Sequence, residues 1–231
     1  MKVISYNLRK NRALGEVHAL AERHRSDILC LQEADPLSLP TTLGHLRLAG
    51  ATEQNRLGLA LYVSDERFET IETRTVALKK SLHDRVLAPA HERLLGTRLL
   101  DHETGRELVA ASFHAAPLTA SNSLRRHQIS AALAELGELG PELPTIMIGD
   151  FNYPVFKGGL HAHVKDAGFK LSLSDRRTYT RYKFFRGHFD FATSVGFDIG
   201  SVRTLARGTS DHLPILLSAA YTPEFSGVLT A

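Results

Sequence analysis

The sequence holds a single cysteine, Cys30. That excludes an intrachain disulfide and any thiolate-rich metal centre. Its setting, the apolar stretch "DILCLQ", reads as a buried small side chain rather than a nucleophile. No apolar run approaches the ~18 residues needed to span a bilayer. The start, "MKVISYNLRK", lacks the apolar core of a signal peptide. The expectation is a cytoplasmic protein without a membrane span. An excess of one charge is also missing: Lys and Arg number 28 against 25 Asp and Glu, a difference of 28 − 25 = 3. The isoelectric point near 9.1 is compatible with a polyanionic partner without demanding one. Linker-like low complexity and internal repeats are absent as well. One domain over 1–221 with a loosely held tail, 222–231, therefore accounts for the chain.

What is present is an alternation of apolar runs and amphipathic segments. Residues 2–8, "KVISYNL", and 27–34, "DILCLQEA", read as buried strands around a helix over 14–24, where Leu14, Val17 and Ala21 share a face. Further strands are expected at 57–64, 92–101, 106–115, 144–148, 189–195 and 214–221, with a hairpin at "HETG" between the second and third of these. A helix over 121–139 carries Ile129, Ala132, Leu133 and Leu136 on one face, with Ser121 or Ser123 as its cap. Another helix is expected within 155–167, weakened by Gly158 and Gly159. The β-α-β opening suggests sheets covered by helices.

Four of the buried runs end in, or are preceded by, polar groups. Asn7 ends the first, Glu33 the second, Asp150 and Asn152 follow "TIMIG", and Asp211 and His212 stand before the last strand. One aspartate after a strand is commonly a turn residue; the same pattern in four separate strands points to a shared rim that carries chemistry. Glu33, Asp150 and Asp211 are hard oxygen ligands that suit Mg²⁺ or Mn²⁺ rather than zinc. Asn7 and Asn152 can orient a phosphate or water without adding charge. His212 exchanges a proton near neutral pH. Such a set suits attack of water on a phosphodiester, whose transition state gathers negative charge on the phosphoryl oxygens.

In order, "SYNL", "LQEA", "GDFN" and "SDHLPI" resemble the endonuclease/exonuclease/phosphatase superfamily, which includes deoxyribonuclease I, abasic-site endonucleases, neutral sphingomyelinases and inositol polyphosphate 5-phosphatases. The likeness runs from Asn7 to about Ile215. It implies a four-layered α/β/β/α sandwich, two packed sheets with outer helices, and a divalent-metal-dependent phosphodiester hydrolase. Carried over, Glu33 binds the metal, supported by Asn7 and with Asp211 at the metal-site position. Asp150 and Asn152 position or deprotonate the attacking water, and His212 meets the scissile phosphate. "SFHAAP" resembles the deoxyribonuclease I segment whose histidine serves as general acid, here His114. "FDF" resembles the strand whose aspartate orients the last histidine, here Asp190. "HER" offers Glu92 where deoxyribonuclease I has a glutamate, within a poorer match. Where relatives have a basic residue two before the strand aspartate, this chain has His188. The implied substrate is nucleic acid, DNA before RNA, cut endonucleolytically. The alternatives are a phospholipid or small phosphoester and, in another class, a catalytically silent binding module.

One segment bears on the substrate. "RRTYTRYKFFR", 176–186, interleaves five basic with four aromatic residues. Such a stretch can track phosphates and stack on bases, with Arg177, Tyr179 and Arg181 as candidate contacts; equally it can be a solvated loop whose aromatics plug the core. Arg74, Lys79, Lys80 and Arg85 form a looser basic group. His161 and His163 read as surface residues of a helix rather than metal ligands.

Overall fold

The structure is a computed structural model that describes residues 1–55, 57–81, 91–153, 157–180 and 187–223. Two mixed sheets pack face to face. The first has the order β12-β13-β1-β2-β5-β4-β3 and the second β10-β11-β9-β8-β7-β6. Their strands are β1 (Lys2–Asn7), β2 (Ile28–Ala34), β3 (Thr42–Leu43), β4 (Leu46–Ala51), β5 (Gly58–Ser64), β6 (Phe68–Ala77) and β7 (Glu92–Asp101). There follow β8 (Arg106–His114), β9 (Thr145–Asp150), β10 (Lys170–Leu173), β11 (Asp190–Val195), β12 (Phe197–Thr204) and β13 (Ile215–Tyr221). Helix α1 (Leu14–His24) covers the first sheet, and α2 (Asn122–Leu139) and α3 (Lys157–Asp166) cover the second. This is the expected α/β/β/α sandwich.

Each sheet contains one parallel pair, and each pair is bridged by a helix: β1-α1-β2 in one sheet and β8-α2-β9 in the other. Parallel strands need such a crossover. It also makes both members of a pair run out at the same end. Asn7 lies beside Gln32 in register, and His114 beside Asp150. The antiparallel neighbour β11 starts where β9 stops, so Asp190 stands opposite Asp150. Three polar residues thus sit abreast at one rim of the second sheet.

Alternation sorts the side chains into layers. Val3, Cys30, Leu61, Leu95, Ala110 and Ile146 fill the space between the sheets. Ile4, Tyr6, Leu29 and Leu31 face the other way, against Val17 and Ala21 of α1. Ile129, Ala132, Leu133 and Leu136 of α2 bury against Val109, Ala111 and Met147. Ser121 caps α2, its Oγ accepting the Leu124 N–H at 3.2 Å. Helix α1 ends on Arg25 in the left-handed region, where its N–H reaches back to Ala21 and Glu22.

Near the rim the inter-sheet layer turns polar. Ser5 donates to Gln32 Oε1 at 3.3 Å, and the Gln32 amide donates to Ser112 Oγ at 3.0 Å on the opposite sheet. Ser112 in turn donates to the Leu31 carbonyl at 3.0 Å. All three side chains are buried, so each bond is made in a low-dielectric setting where losing it is costly. The tie holds the two strand ends at a fixed separation directly beneath the rim.

Gly149 explains the glycine in "GDFN". A Cβ there would lie 2.0 Å from the Phe113 carbonyl oxygen, a backbone atom that cannot turn aside. Gly149→Ala is therefore expected to push β9 away from β8, lowering the melting temperature sharply and displacing Asp150. An alanine variant that melts with the parent protein would contradict that packing.

Candidate functional site

Asp150 is the hub of the rim. Its side chain is buried, and Phe151 behind it anchors the turn in the core, stacked on Phe191 at 3.9 Å and tilted against Phe113 at 4.9 Å. Asn152 follows in the left-handed region with φ 49°, a conformation asparagine tolerates. Its N–H then folds back onto Asp150 Oδ1 at 2.9 Å. The other carboxylate oxygen, Oδ2, accepts from Asn7 Nδ2 at 3.0 Å. The same oxygen lies 3.6 Å from His114 Nε2 and 3.7 Å from His212 Nε2. One oxygen of a buried carboxylate is thus ringed by an amide and two imidazoles from three different strands or loops.

His212 is oriented from behind. Its Nδ1 is 2.8 Å from Asp190 Oδ2, which turns Nε2 toward Asp150 and the opening. Ser210 holds the turn, donating to the Asn7 carbonyl at 2.7 Å and accepting the His212 N–H at 3.1 Å. Tyr179 and Phe189 pack their rings against the imidazole at 5.0 Å and 6.2 Å. Thr178, fully buried, accepts the N–H groups of both Phe189 and Asp190 at 3.1 Å, while its carbonyl accepts from Leu213 N at 2.8 Å. The 178–180 segment therefore straps the Asp190 strand to the "SDH" turn.

Glu33 reaches the rim by a distorted backbone. The register of β2 against β5 slips between Gln32 and Ala34, and Glu33 sits at φ 53°. For a glutamate that costs on the order of 1–2 kcal/mol. The distortion aims Oε1 at Asn7 Nδ2, 3.4 Å away, while Oε2 accepts the Lys10 N–H at 2.8 Å. Arg9, Lys10 and Asn11 are all left-handed. None is glycine, so no turn signal in the sequence marked them. Arg9 brings a guanidinium to the rim, its Nε 3.6 Å from Asp211 Oδ2. Beneath His114, Arg93 Nη1 donates to the His114 and Ala115 carbonyls at 2.9 Å each. Gln128 accepts the Ala116 N–H at 2.8 Å, so the loop after His114 is pinned from below.

The electrostatics follow from burial in company. Burial raises the Asp150 carboxyl to about 7, aided by Asp190 and opposed by His212 and the two N–H donors. Burial alone would depress His212, but the Asp190 and Asp150 carboxylates raise it to about 10. Burial lowers His114 to about 4 against the pull of Glu33; its side chain keeps 21% of its surface open, so water moderates that push. Glu33 is held below its ordinary value, its burial outweighed by His114 and the donors from Lys10 and Asn7.

The donor set fits a hard divalent cation. The Asp150 and Asp190 carboxylates cluster with the His212 imidazole within 4.8 Å of one another, Glu33 adds a carboxylate hydrogen-bonded to Asn7, and the chain's one thiol, Cys30, is buried in the core. Asp211 faces Arg9. The remaining candidates fall elsewhere. Glu92 Oε2 accepts the Gln54 N–H at 2.8 Å, beside the rim. Arg177 is exposed. Tyr179 is only 8% exposed, because backbone pairing with His212 turns its ring inward. Arg181 and the rest of its basic-aromatic loop, 181–186, lie outside the described residues, as does Arg85.

The sequence matches the Endonuclease/Exonuclease/phosphatase family over residues 4–212. No curated protein matches it. Among solved structures it is similar to a mannosyl-6-phosphatase of Bacteroides thetaiotaomicron, with a TM-score of 0.76 and 18% identity, covering 96% of this chain and 100% of that one. The human Nocturnin catalytic domain gives 0.74 and 18%, covering 96% and 94%. TDP2 from D. rerio, complexed with a single-strand DNA product, gives 0.74 and 16%, covering 95% and 98%.

Because the Asp150 carboxyl is raised on folding, that group's contribution to stability is present below about pH 4 and is lost as pH rises through about 7. Asp150→Asn removes the loss. In chelator, the melting temperature of the variant relative to the parent is expected to climb between pH 4 and pH 8. A difference that stays constant with pH would mean Asp150 ionises freely.

Proposed function

The chain belongs to the endonuclease/exonuclease/phosphatase family, and on that premise we propose that it is a divalent-metal-dependent hydrolase of phosphodiester bonds in nucleic acid. The observation that carries this is Asp150 Oδ2, ringed by Asn7, His114 and His212 with Asp190 behind the last. Glu33 and Asn7, with Asp150 beside them, would hold Mg²⁺ or Mn²⁺, and Asp211 stands at the edge of that group. When bound, the cation neutralises charge on the phosphoryl oxygens. A carboxyl at about 7 can accept a proton from an attacking water at neutral pH, and Asn152 orients that water. His212, kept cationic by Asp190, offers Nε2 to the phosphoryl oxygens as their charge grows. His114 stands on the same side, where an arriving phosphodiester's negative charge opposes the effect of burial and favours its role as proton donor to the leaving oxygen.

The exposed Lys10 and the half-exposed Arg9, beside Glu33 and Asp211, support a polyanionic substrate. The second reading, a small phosphoester, draws on the likeness to the mannosyl-6-phosphatase. Both keep the same chemistry, so one panel separates them: plasmid, oligonucleotide, bis(4-nitrophenyl) phosphate and sugar phosphates at fixed Mg²⁺. Nucleic acid is expected to be cut with Mg²⁺ or Mn²⁺ and spared in EDTA; turnover of sugar phosphate alone would favour the second reading.

His212→Ala and Asp150→Asn are each expected to lower kcat by 10²–10⁴-fold while the fold is retained by circular dichroism. Asp190→Asn should cost less, because it acts through the imidazole. Undiminished turnover in either of the first two contradicts the assignment.

A further inference from the structure

Glu16 sits in the first turn of α1, outside the rim, and none of the chemistry above uses it. Its half-buried carboxylate is nonetheless engaged on both oxygens. Oε1 accepts the Thr209 N–H at 2.7 Å, across 193 residues of sequence. Oε2 accepts the Tyr6 hydroxyl at 3.1 Å. Tyr6 is itself buried, and Ser210 lies against its oxygen. Burial and the adjacent carboxylate push the Tyr6 pKa upward, so that hydroxyl stays a donor. Bonds of this kind to an ionised acceptor are stronger than those between neutral groups.

The loop so gripped is the one that delivers His212. Strand β12 ends at Thr204, and residues 205–211 belong to no strand. Their position therefore rests on side-chain contacts rather than on a ladder. Thr209 and Ser210 stand immediately before Asp211 and His212. Ser210 passes the grip on, donating to the Asn7 carbonyl and accepting the His212 N–H. Tyr6 and Asn7 are neighbours on β1, so one strand fixes both the clamp and the first member of the rim. Thr209 Oγ1 adds a longer bond to the Arg12 carbonyl at 3.5 Å.

Gly208 shows how closely the loop is pressed. A Cβ there would lie 1.8 Å from Glu16 Oε2 and 2.8 Å from the Tyr6 hydroxyl. The carboxylate occupies the space that any other residue's side chain would need. A methyl group at this position would evict the carboxylate from its two donors.

We propose that Glu16 is a positioning residue: from outside the rim it holds the 208–210 loop so that His212 Nε2 faces Asp150 and the arriving phosphate. Resting on the phosphodiester-hydrolase reading above, this makes Glu16 act on kcat rather than on substrate affinity, because His212 meets charge that grows in the transition state.

The test measures hydrolysis of bis(4-nitrophenyl) phosphate at fixed Mg²⁺, well below each variant's melting temperature, together with proton NMR of the imidazoles. Glu16→Ala is expected to lower kcat by about 10- to 100-fold while KM changes by less than about twofold. Glu16→Gln keeps an acceptor for the Thr209 N–H and a donor for the Tyr6 oxygen, and should restore most of the loss. A Glu16→Ala protein that melts lower but turns over at the parental kcat has lost only a brace, and overturns the proposal. A Glu16→Gln loss as large as that of Glu16→Ala would make charge the cause and does the same. In a His212→Ala background Glu16→Ala should cost less than about a further twofold; a full additional loss overturns action through His212. Gly208→Ala should reproduce the fall in kcat, and parental turnover in that variant counts against the contact. One readout needs no substrate: the downfield Nδ1–H resonance of His212, bonded to Asp190, should shift or broaden in Glu16→Ala and persist in Glu16→Gln. An unmoved resonance in Glu16→Ala overturns the positioning. A parent protein that hydrolyses no phosphodiester overturns the functional reading instead, and the resonance then decides the role of Glu16 by itself.

Discussion

The hydrogen bond from Asn7 Nδ2 to Asp150 Oδ2 spans 143 residues of sequence and joins the two sheets at 3.0 Å. Neither sheet holds a complete site. Asn7 and Glu33 come from one, His114, Asp150 and Asp190 from the other, and His212 from the turn entering β13. Everything at the rim therefore depends on how far apart the sheets sit, which the side chains between them determine. The apolar layer sets a mean spacing near 10 Å, as in other face-packed sheets. The Ser5–Gln32–Ser112 chain refines it where the rim begins. A hydrogen bond lost to a small shift is costly at this rim, since Asp150 has its charge balanced by groups from both sides.

The topology makes such a meeting natural. Two β-α-β units, one per sheet, each deliver the carboxyl ends of two parallel strands to one rim. Open sheets of this kind collect their chemistry at those ends. At the rim the local backbone departs from ideal strands: Glu33 leaves the sheet through a left-handed step, Asn152 turns in the same region, and Arg9, Lys10 and Asn11 coil to offer a main-chain donor to Glu33. Five of the seven left-handed non-glycine residues among those described, Arg9, Lys10, Asn11, Glu33 and Asn152, gather at this rim, as expected of a pre-organised site.

Much of the fold was legible because buried strands are apolar on both faces. "ILCLQ", "LGLALYV" and "TIMI" announce themselves, as does the 3.6-residue pattern of α2. The strands that escaped are β3, β4, β6, β10 and β12. They lie toward the sheet margins, and β6, "FETIETRTVA", exposes much of its length, so polar residues dilute the alternation that would mark it. At the rim, the positions of Asn7, Glu33, Asp150 and His212 could be anticipated from strand ends and family likeness. Arg9 could not, because its approach to Asp211 follows from a left-handed coil built without glycine. Tyr179 shows the opposite limit: the sequence leaves open whether the basic-aromatic run faces a substrate or plugs the core, and the pairing of its backbone with His212 turns this ring inward.

The far ends of the same strands supply the control. There Asp27, just before β2, and Asp101, at the close of β7, converge on Arg67 at 3.3 and 2.9 Å. Tyr221 adds a hydrogen bond to Asp101 at 3.0 Å, and the Lys2 N–H donates to Asp27. Burial opposes ionisation of Asp101 as it does that of Asp150, but Arg67 and Tyr221 reverse it and hold the carboxyl below its usual range. At one pole of the sandwich the buried acid, Asp101, has a committed partner in Arg67. At the other, Asp150 shares two imidazoles and an amide with a second carboxylate close by, and its carboxyl is displaced upward instead. Stability accounts for the first arrangement. The second costs stability, and a carboxyl displaced in this way is the physical ground for reading that rim as a site of chemistry rather than of packing.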